Sequence, residues 1–102
     1  MFIGKVSGSV VSTQKIKSVV GSKLLLVKAM TVKGDSPGEV VDTGRVAVAI
    51  DMLGAGEGDL VLVTQGSSAR LTEGTKNMPT DAVVVGIIDE IQAGSREIYK
   101  KR

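Results

Sequence analysis

The sequence predicts an all-β fold, a small five-stranded OB-like barrel with one short helical turn, on three observations. Valine occurs 16 times and glycine 13 times in 102 residues, a composition rich in β-branched side chains and turn formers. Apolar residues recur at strand period in runs separated by glycine-rich turns, with little sign of the 3.6-residue period of a helix. The length fits one compact domain, and short strands at this spacing fit a barrel of about five. A domain of this size buries only about 60–70% of the surface its unfolded chain exposes, so contacts with further copies would add stability.

The elements follow in order. Residues 2–13 read as the first strand, with Phe2, Gly4, Val6, Gly8 and Val10 on one face and Lys5, Ser7 and Ser9 on the other beside Ile3 and Val11. Glycine inside a strand marks sharp coiling or a close backbone approach. Residues 13–22 read as a loop. Residues 23–32 form the second strand, and both of its faces are largely apolar: Leu24, Leu26, Met30 and Val32 against Leu25, Val27 and Ala29. One face is therefore available to another subunit. Gly34, Asp35, Ser36, Pro37 and Gly38 make a dense turn signal and predict an exposed hairpin end.

Residues 45–52 form the third strand, setting Val46, Val48, Ile50 and Met52 against Ala47, Ala49 and Asp51. The alanine face, being small, reads as the side on which something packs closely from outside. Residues 60–65 and 82–91 are the fourth and fifth strands, the latter with Val83, Val85 and Ile87 opposing Val84 and Ile88. Between them, residues 67–71 suit the helical turn and 72–81 a loop. No internal repeat is evident. Residues 1–92 are assigned to a single barrel domain and 93–102 to a polar C-terminal tail, read as a frayed end; only Ile98 and Tyr99 favour docking.

Composition excludes several kinds of chemistry. Without cysteine or histidine the chain has no disulfide, thiolate nucleophile or Cys-ligated metal, and lacks the commonest general base and metal ligand. A net charge of +2 is far from the concentrated positive field that steers nucleic acid. No basic segment leads into a long apolar run, and no stretch reaches the roughly 18 apolar residues of a membrane span. The chain is expected to be soluble and cytoplasmic, with no membrane partner.

The motifs divide in the same way. Gly54, Ala55, Gly56, Glu57, Gly58 and Asp59 resemble a phosphate-cradling nest, yet a strand and not a helix follows them, and no Gly-Lys-Ser/Thr is present. Asp51, Glu57 and Asp59 lack the spacing of a calcium loop and read as a solvated loop. Ser67 and Ser68 have no histidine to activate them and read as a cap on the helical turn. Lys15, Lys17, Lys23, Arg70 and Lys76 fall in segments that would flank an OB groove for single-stranded nucleic acid, which is the alternative function. Such grooves stack bases on aromatic rings at about 1–3 kcal/mol each, and this chain offers only Phe2 and Tyr99.

Asp51 through Arg70 reads Asp-Met-Leu-Gly-Ala-Gly-Glu-Gly-Asp-Leu-Val-Leu-Val-Thr-Gln-Gly-Ser-Ser-Ala-Arg. Before it come Gly4-Lys5-Val6, Gly8, Val10-Val11, Thr13 and Lys15, then Gly21 and Lys23-Leu24-Leu25-Leu26-Val27. After it come Pro79-Thr80-Asp81-Ala82, Val84-Val85-Gly86-Ile87-Ile88-Asp89. In this order the segments resemble the bacterial microcompartment vertex proteins of the EutN/CcmL family over nearly the whole chain.

The resemblance implies an OB-like barrel that forms a cyclic homo-pentamer. It would occupy the five-fold vertices of a polyhedral, carboxysome-like protein shell in the cytoplasm, beside hexameric shell proteins. No catalytic residue, cofactor, metal or nucleic acid is implied. Gly54, Ala55, Gly56, Glu57 and Gly58 are then candidates for a loop near the ring axis, where glycine backbones approach closely. Gly66, Ser67, Ser68, Arg70, Ile98 and Tyr99 are candidates for the subunit interface. Arg70 is the residue most suited to tie carbonyls or a carboxylate across it.

Overall fold

Aliphatic alternation of this kind can bury one side of each strand only if the strands close on themselves or pack on a partner sheet. Here they close. The computed structural model describes residues 1–11, 23–34, 38–66 and 81–101. Its strands are β1 (Phe2–Val10), β2 (Lys23–Lys33), β3 (Glu39–Asp51), β4 (Leu60–Gln65), β5 (Ala82–Ile87), β6 (Glu90–Ala93) and β7 (Arg96–Lys100). The first five form a closed barrel in the order β1-β2-β3-β5-β4, and β6 and β7 form a separate two-stranded sheet. All barrel pairings are antiparallel except β3 with β5. The OB-like five-stranded expectation is met.

The interior is narrow and full. Val6, Leu25, Val27, Ala49, Val61, Val63 and Val84 make one cluster inside the barrel, with Phe2, Ala47 and Ile87 packed against it. Gly4 shows how little room is left. A Cβ at that position would lie 3.3 Å from Val63 Cγ2 and 3.4 Å from Val27 Cβ, so β1 passes the core at this depth only because it has no side chain there.

β3 differs from expectation for one physical reason, a bulge. Lys28 pairs with Val46 but Met30 pairs with Asp42, which leaves residues 43–45 opposite Ala29. The Asp42 carboxylate accepts the Gly44 N–H at 2.7 Å, and the Thr43 hydroxyl donates to the Ala29 carbonyl at 2.7 Å. Gly44 sits at φ +85°, a conformation that favours glycine. The bulge hides the alternation of the first half of β3, which begins at Glu39 and not at residue 45 as predicted. β1 ends at Val10, three residues short of the predicted limit.

The last predicted strand, 82–91, is two. β5 stops at Ile87, the Ile88 N–H donates to the Leu60 carbonyl at 2.8 Å, and β6 then pairs with β7. Residues 96–100 are therefore strand, not the frayed end expected of a polar tail. The hairpin turns at Gly94 and Ser95, both at positive φ. The predicted helical turn at 67–71 and the loop at 13–22 lie outside the described residues.

Candidate functional site

The glycine-rich segment after β3 is shaped by Asp51. β3 delivers this carboxylate to the end of the barrel interior, where it is 4% exposed. Its Oδ1 accepts the Leu53 N–H and its Oδ2 the Ala55 N–H, each at 2.9 Å. Lys23 at the start of β2 donates to the Ala55 carbonyl at 3.0 Å and places its ammonium 3.8 Å from Asp51 Oδ2. A buried carboxylate is tolerated when amides and a cation compensate it. The expectation of a solvated acidic loop is thus corrected for Asp51, whose charge holds the backbone.

The rest of the segment closes on itself. Gly54 and Gly58 take φ of +86° and +92°, so the chain reverses twice and drives the Ala55 methyl into the barrel core, fully buried. The Gly56 N–H donates to Asp59 Oδ2 at 2.8 Å, and the Gly58 N–H to the Val6 carbonyl at 2.8 Å. The amides of Leu53, Ala55, Gly56 and Gly58 are all used, which leaves no ready nest for a phosphate. Glu57 and the glycines at 54, 56 and 58 are exposed. Among the described residues no group of three or more His, Cys, Asp or Glu is placed to hold a metal.

The second feature is the outer surface of β3. Its faces are the reverse of the sequence reading: Ala49 is buried in the core, while Val46 is 57% and Val48 47% exposed. Register sets Leu24, Leu26 and Lys28 of β2 beside Ile50, Val48 and Val46, and Val83 of β5 on the other side of Ile50. Ile50 and Val83 are buried together with Leu24 in a second cluster outside the barrel. Met52, Leu53 and Val85 continue this aliphatic surface and are exposed. The small size of Ala47 and Ala49 made the alanine face read as the outer one. In the structure Arg45 belongs to the bulge and Asp51 is spent on backbone amides.

The remaining candidates are scattered. Ile98 and Tyr99 of β7 are half-buried and, with Met30, Val40 and Leu60, line a groove of about 370 Å³ between the hairpin and the barrel. Lys101 holds the hairpin down: its N–H donates to the Asp89 carbonyl at 2.7 Å, and its ammonium is 3.7 Å from Asp59 Oδ1. Gly66 is exposed at φ +70°, its N–H on the Asp81 carbonyl at 2.8 Å. Ser67, Ser68 and Arg70 lie outside the described residues, as do Lys15, Lys17 and Lys76. Lys23, the described member of the proposed basic groove, is engaged with Ala55 and Asp51. Sequence reasoning missed the Asp51 and Lys23 contacts, whose one signal was a carboxylate at the end of an aliphatic strand.

A closed five-stranded barrel with an aliphatic interior and exposed valines on its outer face places this chain among the small OB-like β-barrels. Comparison with known proteins names the family. Residues 1–89 match the family described as ethanolamine utilisation protein EutN/carboxysome. The chain is 46% identical over 102 residues to the carboxysome shell vertex protein CcmL of Synechocystis sp., covering 100% of this chain and 96% of that protein. The solved structure of Gloeobacter violaceus CcmL superposes with a TM-score of 0.84 at 42% identity, over 99% of this chain and 98% of the other. The GrpN pentameric microcompartment shell protein from Rhodospirillum rubrum does so with a TM-score of 0.75 at 42% identity, over 91% and 98%. The chain belongs to the EutN/CcmL family, whose relatives named here are microcompartment shell proteins.

Proposed function

We propose that this protein is a structural, non-enzymatic subunit of a bacterial microcompartment shell in the cytoplasm. It forms cyclic homo-pentamers that sit at the five-fold vertices and close the polyhedron beside hexameric shell proteins. The observation that carries this reading is the aliphatic surface of Val46, Val48, Met52, Leu53 and Val85, left exposed on a barrel whose interior is already full. Contiguous exposed apolar area of this kind marks an association surface. Hexagonal tiles pack flat, and a ring of five introduces the curvature that a closed shell requires. Each seam in such a ring joins two unlike patches, and closure stops growth at a fixed number.

Light scattering coupled to chromatography is the test. The expected result is a particle of five times the 10.6 kDa chain. A monomer that binds oligonucleotides in a salt-sensitive manner overturns the reading in favour of a nucleic-acid module.

Two finer placements belong to this proposal. Residues 54–58 lie near the ring axis, and Gly66, Ser67, Ser68, Arg70, Ile98 and Tyr99 contribute to the seam. Gly56 offers a clean probe of the first. Its φ is not positive, and a Cβ built there meets only Asp59 Oδ2, at 3.8 Å. One chain alone therefore accommodates Gly56→Val, and a loss of pentamer in that variant reports crowding by neighbouring copies; an intact pentamer removes residues 54–58 from the axis. Arg70→Ala is expected to lower the pentamer fraction at high dilution, and an unchanged mass removes the tie.

A further inference from the structure

The ring reading leaves one question that the barrel topology addresses: which surface receives the aliphatic stripe. Because a cyclic seam is heterologous, the stripe must meet a different patch on the next copy. The strand order is closed, with β1 between β2 and β4 and with β3 beside β5. The β1–β4 pairing therefore lies across the barrel from β3, on whose outer face the stripe runs, with Val46 and Val48 beside Lys28 and Leu26 of β2.

The groove under the C-terminal hairpin is centred on that opposite side. Lys5 of β1 and Leu60 of β4 are register partners and line it together with Met30, Val40, Ile98 and Tyr99. The part of β3 that reaches it, at Val40, lies before the bulge at 43–45, whereas the stripe lies after it. One strand thus contributes to two unlike surfaces. The stripe is a row of aliphatic side chains standing off a sheet; the groove is concave, its apolar lining of Met30, Val40, Leu60, Ile98 and Tyr99 matched by about as much polar surface, with Lys5 and Glu39 as its charged groups. Apolar contact beside charged and polar groups is the make-up of a protein seam. Within one chain Ile98 and Tyr99 are only half-buried, so the hairpin has apolar surface left to give.

We infer that the groove between β7 and the barrel is the socket for the Val46, Val48 and Met52 stripe of the neighbouring copy in the ring. The inference rests on the pentameric reading and adds to it a function for the hairpin, which would otherwise be an appendage to a complete barrel. The Lys101 contacts to Asp89 and Asp59 then serve to hold the roof of the socket in place.

The absence of cysteine makes a direct test available, because each introduced thiol is unique. In a chain carrying both Val48→Cys and Ile98→Cys, a short bismaleimide should produce a ladder of covalent species up to five chains on a denaturing gel. Each single variant should remain at one chain. A second pair, Met52→Cys with Tyr99→Cys, guards against one badly aimed pair. If light scattering shows the pentamer while neither double variant is linked, the socket is overturned and the ring stands. Dimers formed by Val48→Cys alone place stripe against stripe and also overturn it. A wild-type chain that stays monomeric overturns the ring and the socket together.

Discussion

The two faces of β3 have opposite fates although they come from one strand. On the inner face stand Ala47, Ala49 and Asp51, and on the outer face Val46, Val48 and Ile50. Ala49 and Asp51 on the inner face are buried, while Val46 and Val48 on the outer face are exposed and only Ile50 there is covered, by Val83 and Leu24. A five-stranded barrel has a narrow lumen, and Leu25, Val27, Val61 and Val63 already occupy it, so β3 can add only methyl groups there. The larger valines are left on the outside, where one chain gives them little cover. Burial of an aliphatic side chain is worth about 1.5–3 kcal/mol, and on the outer face that gain waits for a neighbour.

The sharpest way to break the contrast is at Asp51. Asp51→Ala leaves the Leu53 and Ala55 amides without their acceptor and removes the partner of Lys23. The chain should lose about 3 kcal/mol of stability, read as a fall in the urea midpoint at fixed protein concentration. Asp51→Asn keeps an acceptor oxygen and should recover part of this loss. An alanine variant with an unshifted midpoint would show that the loop needs no staple.

Overfilling the inner face should cost less. Ala49→Leu adds three carbons to a site that is 1% exposed, and overpacking of this kind costs about 1–3 kcal/mol. The matching measurement is urea unfolding beside the wild type. No loss would mean that the lumen has slack.

The outer face should respond in the opposite sense. Val48→Glu should change the folding of the isolated chain by about 1 kcal/mol or less, but it should abolish the rise of the wild-type thermal midpoint with protein concentration that mass action requires of an oligomer. A variant midpoint that still rises with concentration would remove Val48 from the seam.

Much of this was legible in the residues. The limits of β4 were read correctly and those of β2 within one residue, because uninterrupted aliphatic runs between turn formers leave few alternatives. The family was legible from the order of its motifs. The glycines at 54, 56 and 58 were read as backbone residues suited to close approach at a ring axis; within one chain the structure gives 54 and 58 a different reason, their positive φ, which 56 lacks. What escaped was whatever depends on closure. Gly94 and Ser95 turn the supposed tail into a hairpin, a signal that polar flanking residues masked. The bulge at 43–45 concealed half of β3 because its extra residues shift the phase of the alternation.

Sequence alone determined that this is a β protein without thiol or imidazole chemistry, where most of its strands run, and to which family it belongs. Those properties are local or compositional, and each residue carries its own share. Only the tertiary structure decided which face of β3 is inside, where the Asp51 charge goes and how the hairpin seats against the barrel. A period of two residues says that two faces differ, and it cannot say which one the barrel encloses. The choice is made by lumen size and strand order, which no single segment encodes.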